Sequence, residues 1–140
     1  MFVLDTNVVS EFMRDPSDQG VVAWIDAQPG EDLFVTAISE AEIRAGVTAL
    51  PAGRRQRELA AAAERVLSEF FLGRILVFDS QAAQQYAAVV AERRAAGRPI
   101  SLSDALIAAI VRSMGASIVT RDVRGFDGLG LEIVNPWADA

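Results

Sequence analysis

Short apolar runs alternate with longer stretches of helical pattern, and no other feature of the chain constrains its fold as tightly. Phe2-Val3-Leu4, Leu33-Phe34-Val35-Thr36, Ile75-Leu76-Val77-Phe78 and Ser117-Ile118-Val119-Thr120 have the length and residue types of buried strands, and a fifth run lies near Leu131 to Val134. Between them apolar residues recur at helical spacing over Val8–Arg14, Ser17–Ala27, Ser39–Gly46, Pro51 to about Phe71, Ala82 to Gly97 and Ser101–Val111. Asp15-Pro16, Pro29-Gly30, Gly73, Gly97 and Gly115 punctuate the segments. Such alternation, without an interior linker or repeat, predicts an α/β fold with one parallel sheet and helices on both faces. At 140 residues the chain is expected to form a single domain, 1–140, large enough to bury one core without staples. The segment Leu102–Val111 is apolar almost all round, which predicts central burial or a subunit contact.

Polar residues at the strand ends matter more for function. In open α/β sheets ligands bind at the carboxyl ends of the strands, since helices cover both faces. Asp5 follows the first strand and Asp122 the fourth; Glu42 and Asp104 are expected in the first turn of helices that open onto the same edge. Each has a structural alternative. Asp5 or Asn7 can cap the first helix, and Ser39 with Glu42 has the spacing of a capping box. Arg54 with Glu58 and Arg65 with Glu69 are four apart, as on a solvated, salt-bridged helix face.

Missing residue types narrow the chemistry. The chain has no His and no Cys, and all 13 basic residues are arginine. That excludes Ser-His-Asp and Cys-His nucleophile systems, an imidazole base, thiolate or imidazole zinc sites, a P-loop lysine and a Schiff base. Carboxylates, hydroxyls and arginines remain. Four carboxylates on one sheet edge repel: two charges about 4 Å apart do so by roughly 4 kcal/mol at an effective dielectric near 20. They must share protons or hold a cation. Oxygen ligands select hard ions, Mg²⁺ or Mn²⁺ before zinc, and such an ion can activate water for attack on a phosphodiester. Thr6, Asn7, Ser39 and Thr120 are candidate accessory groups that position water or ligands. The net charge of −6 disfavours bulk electrostatic binding of nucleic acid, so an RNA role would need a local arginine patch. No secretory leader or membrane span is recognisable, and the expected location is the cytoplasm.

Asp5-Thr6-Asn7 after an apolar strand, Ala41-Glu42-Ile43-Arg44-Ala45-Gly46, Ser103-Asp104-Ala105-Leu106-Ile107-Ala108-Ala109 and Val119-Thr120-Arg121-Asp122 resemble, in order, the four signature blocks of PIN-domain proteins. Val8-Val9-Ser10-Glu11 and the terminal Asn135-Pro136-Trp137 extend the resemblance to the VapC-type toxins and their FitB-like subgroup. It implies a three-layer fold with a central parallel five-stranded sheet flanked by helices. It also implies the toxin of a type II toxin–antitoxin system: a Mg²⁺- or Mn²⁺-dependent endoribonuclease and homodimer, silenced by a small DNA-binding antitoxin whose C-terminal segment covers the active site. Carried over by position, Asp5, Glu42, Asp104 and Asp122 are the catalytic acids, Asp5, Asp104 and Asp122 the metal ligands, and Thr6, Asn7 and Thr120 accessory. Two departures stand out: Asp122 falls where relatives often have Asn, and Gly125 where they commonly have an acid, a role lost here or moved to Asp127. With Asp5 assigned to chemistry, Asn7 becomes the expected helix cap. Arg14, Arg44, Arg121 and Arg124 could reach the acidic edge, whereas Arg93, Arg94 and Arg98 are expected on a solvated helix end. Two other functions compete: a phosphoacceptor signalling module, disfavoured by the missing lysine, and a catalytically silent PIN-like binding module.

Overall fold

The computed structural model describes residues 1–137; the last three residues of the expected domain lie outside the described residues. Elements follow in the order β1 (Phe2–Leu4), α1 (Thr6–Met13), α2 (Gln19–Asp26), β2 (Leu33–Thr36), α3 (Ala37–Thr48), α4 (Arg54–Arg65), β3 (Ile75–Leu76), α5 (Ser80–Ala95), α6 (Leu102–Ser113), β4 (Ser117–Val119), α7 (Val123–Phe126) and β5 (Ile133–Val134). All strand pairs are parallel, in the order β3-β2-β1-β4-β5. From β1 the chain builds outward through β2 and β3, then crosses to add β4 and β5 on the other side. The reversal falls at β1, and in doubly wound sheets the crevice at such a switch point is where ligands bind.

Strand periodicity assigns the two faces. Leu4, Leu33, Val35 and Val119 point into a core with Val8 and Val9 of α1, Val21 and Ile25 of α2, Ile43 of α3 and Ala63 of α4. Their neighbours Val3, Phe34 and Ile118 point the other way, onto Val89 of α5 and Ala105, Ala108 and Val111 of α6. Each fully buried Val or Leu contributes about 1.5–3 kcal/mol by leaving water. As expected, α6 is buried along most of its length. Among the described residues no helix is long and apolar enough to cross a membrane.

Several local expectations need correction. β3 and β5 have two residues each; Val77 and Phe78, expected in β3, lie outside it, Val77 largely exposed and Phe78 edge-on against Tyr86. The segment from Pro51 becomes helical only at Arg54, and after Arg65 it widens into a π turn over Val66–Phe70. That turn changes the angular step between residues. Among the described residues the Arg65–Glu69 pair is not formed, whereas Arg54–Glu58 is, at 2.9 Å. Glu64 reaches across to Arg44 of α3 instead, also at 2.9 Å. The single helical turn α7, which Asp122 starts, was not expected.

Candidate active site

β1 delivers Asp5 to the crevice beside β4, and its amide extends the ladder by donating to Val119 O at 2.9 Å. Asp5 is 5% exposed. Its Oδ1 accepts from Thr6 N (2.8 Å), and its Oδ2 accepts from Thr120 Oγ1 (2.8 Å) and Asn7 Nδ2 (3.2 Å). Burial raises its pKa to about 6 and outweighs the hydrogen bonds from Thr120 and Thr6; the charges of Asp104 and Glu42 raise it further.

Asp5, rather than Asn7, is the N-cap of α1, so the carboxylate expected to do chemistry also caps a helix. Asn7 sits in the first turn and bridges: Nδ2 reaches Asp5 and Thr120, while Oδ1 accepts from Arg121 N at 3.3 Å. Thr120 is wholly buried. Its hydroxyl donates to Asp5 and accepts from Asp122 N at 2.9 Å, locking the end of β4 to the end of β1.

Glu42 arrives differently from expectation. Thr36, at the end of β2, caps α3 by accepting from Ser39 N at 3.1 Å. The helix therefore begins three residues before the expected capping box, and Glu42 falls in its second turn. There Oε1 accepts from Thr6 Oγ1 at 2.7 Å, and Thr6 Oγ1 is also 2.8 Å from the buried Ser39 Oγ. Thr6 thus joins the Glu42 helix to the Asp5 helix.

Asp104 occupies the third position of α6, whose cap Ser101 accepts from Asp104 N at 3.2 Å. Its pKa is raised, first by burial and then by the charges of Asp122 and Glu42, against a hydrogen bond from Ser101 and the weaker influence of Arg93. Asp122 caps α7, accepting from Gly125 N at 3.1 Å. A Cβ on Gly125 would lie 2.4 Å from Asp122 Oδ2 and 3.1 Å from Asp104 Oδ2. The space of the missing side chain is filled by these two carboxylates, so glycine here is what lets them approach. Asp127, one of the two alternatives for the acid missing at Gly125, is paired with Arg98. Its Oδ1 stands 2.6 Å from Arg98, an ion pair whose angle leaves that oxygen without a hydrogen bond.

The four predicted acids therefore lie near one another: Asp5 feels the charges of Asp104 and Glu42, and Asp104 those of Asp122 and Glu42. Among the described residues no three acids are close enough to enclose an ion unaided. An open, all-oxygen donor set on mutually repelling carboxylates suits a hard ion that keeps several waters, as Mg²⁺ does, so the residues fit such a group. Next to the acids, an apolar groove of about 310 Å³ runs from Thr6 and Glu42 past Ile43, Val47 and Leu59, with Arg14 and Arg55 on its rim.

The arginines divide unexpectedly. Arg44 is engaged by Glu40 and Glu64, Arg14 by Glu11, and Arg121 lies over the Trp137 ring, 5.0 Å from its centroid. Arg93, expected in solvent, is only 6% exposed and donates to backbone carbonyls beside the site. Its position was readable: Ala82, Tyr86, Val89 and Arg93 continue one helical stripe. Gly125 and α7 had no comparable signal, since a four-residue turn leaves no periodicity.

The model of the PIN domain matches residues 2–130. The chain is 41% identical to the VapC ribonuclease Y4jK of Sinorhizobium fredii (strain NBRC 101917 / NGR234), covering all of both chains. It is 37% identical to Toxin FitB of Neisseria gonorrhoeae (strain ATCC 700825 / FA 1090), over 99% of this chain and 100% of that one. Its fold superposes on FitAB bound to an IR36 DNA fragment with a TM-score of 0.91 and 36% identity, covering 98% of this chain and 96% of that one. With a matching sheet, a family model spanning nearly the whole chain and relatives aligned end to end, this protein belongs to the PIN-domain family.

Proposed function

We propose that this chain is the toxin of a toxin–antitoxin pair, an endoribonuclease that hydrolyses RNA phosphodiester bonds with Mg²⁺ or Mn²⁺ at the acidic crevice. The observation that carries it is the convergence of Asp5, Glu42, Asp104 and Asp122 at the switch point of the sheet, with Asp5 buried and fixed. Similarity to proteins named VapC ribonuclease and Toxin FitB supports the same conclusion.

Asp5, Asp104 and Asp122 would hold the ion. When bound, a divalent cation supplies a water of lowered pKa and offsets charge on the phosphoryl and leaving oxygens. The chain's own part is orientation and proton handling. Thr120 fixes Asp5 Oδ2 and the Asp122 amide together, so two of the three ligands share one anchor. Glu42, held through Oε1 by Thr6, leaves Oε2 to accept a proton from the attacking water. The apolar groove that opens from Glu42 suits the amphipathic C-terminal segment of a small DNA-binding antitoxin, which would silence the enzyme by covering the acids. The toxin would act as a homodimer in the cytoplasm, where its RNA is.

RNA incubated with the protein, with and without Mg²⁺ or Mn²⁺, tests this directly. Cleavage by wild type should require the metal and be lost in Asp5→Asn and Asp104→Asn. Folded wild type that cuts no RNA with either ion, or full activity in both variants, would refute it. Metal binding without cleavage would favour a silent binding module instead.

A further inference from the structure

We propose that Arg93 is a positioning residue of the acidic site: from behind α7 its guanidinium holds the Asp122–Gly125 turn against the start of α6 and keeps the Asp122 carboxylate beside that of Asp104. The role assigned to these acids rests on the function proposed above; the placement of α7 does not.

Arg93 lies near the C-terminal end of α5 and is almost wholly buried. Its Nε donates to Arg98 O at 2.8 Å, Nη1 to Gly125 O at 2.9 Å and Nη2 to Arg124 O at 3.4 Å. Among the described residues it has no carboxylate within ion-pair distance. A buried cation with no carboxylate in direct contact, its charge felt by Asp104 only through space, is expensive, and an apolar side chain would fill the same space at less cost. What the planar fork can do, and an apolar residue cannot, is grasp carbonyls from separate segments at once. One segment is the turn after α5, which leads into Ser101 and Asp104. The other is α7, whose cap is Asp122.

α7 needs such help. It has four residues, too few to be stable alone, and the final carbonyls of any helix lack partners within it. Arg93 supplies donors to the carbonyls of Arg124 and Gly125, while Arg98 donates to Arg124 O at 3.2 Å and pairs with Asp127. At the other end of the same turn, Asp122 accepts from Gly125 N. A turn pinned at Gly125 O therefore fixes the direction of the Asp122 carboxylate, which fills the space against Asp104 that Gly125 leaves open.

Arg93→Met removes charge and fork together; Arg93→Lys keeps the charge and removes the fork. In both, we expect faster amide hydrogen exchange at Gly125 and Mn²⁺ affinity, by calorimetry with the metal alone, weaker by about 10-fold or more. Cleavage should lose kcat with little change in KM. Val21→Ala, in the core on the other face of the sheet from α7, is the control for mere destabilisation and should keep wild-type Mn²⁺ affinity. The proposal fails if either Arg93 variant folds with wild-type Gly125 exchange and Mn²⁺ affinity, or if the lysine restores both. Should the methionine variant not fold, the lysine variant carries the same readouts. A wild type that neither binds Mn²⁺ nor cuts RNA would refute the proposed function alone, because Gly125 exchange still decides the part played by Arg93.

Discussion

Asp5 has a folded-state pKa of about 6 against an ordinary 3.8, and the sign of its effect on stability follows. Between those pH values the folded chain holds more of the proton than the unfolded chain, so stability falls as pH rises from about 4 to about 6. Below that window the contribution vanishes; above it, the penalty is constant and on the order of 3 kcal/mol at most. Asp104, also raised, acts in the same direction. In urea melts of the metal-free protein, Asp5→Asn should therefore gain stability over wild type at pH 7, by about 1–3 kcal/mol, and little at pH 4. An equal difference at both pH values would contradict the burial of an ionisable group. Gly125 offers a second test. Alanine there adds a Cβ 2.4 Å from Asp122 Oδ2 and 2.9 Å from its Cγ, so the Asp122 side chain must rotate away and give up its bond from Gly125 N, while alanine gains up to about 1 kcal/mol in helix propensity. Gly125→Ala should thus melt within about 1 kcal/mol of wild type, yet lose Mn²⁺ affinity and RNA cleavage.

Among the elements, α6 sets the tightest packing requirement. Ala105, Ala108 and Ala109 are essentially without exposure, so small side chains on this helix are closed in on every side. Ala108→Leu should overpack the core by about 1–3 kcal/mol, read as a lower denaturation midpoint with an unchanged slope. α6 was legible because its apolar run is long and the segment read from Ser101 begins at the residue that caps the helix. α3 was misread by three residues. Its cap, Thr36, is also the last residue of β2, and no loop residue separates strand from helix to announce the start. The same shift moved Glu42 from the first turn to the second without taking it from the crevice, since a helix returns to the same face after about one turn.

For the molecule as a whole, repulsion among four acids makes a bound cation and the folded state mutually stabilising. An ion that binds only the folded chain adds about 2.7 kcal/mol at 100 times its dissociation constant. Millimolar Mn²⁺ should therefore raise the Tm of wild type and leave that of Asp104→Asn nearly unchanged. No shift in wild type would remove the metal from the proposed chemistry. The parallel sheet, its two helical faces and the strand-end acids could all be read from the chain, because periodicity and punctuation are local properties that burial rewards the same way in any fold of this class. Tertiary structure alone decided which acids meet and how they are held. The buried Thr120 joins β4 to β1, Thr6 joins α1 to α3, and Arg93 joins α5 to α7. Each of these contacts links residues at least 32 positions apart, and hydrogen-bond geometry across such distances exists only once the core has closed.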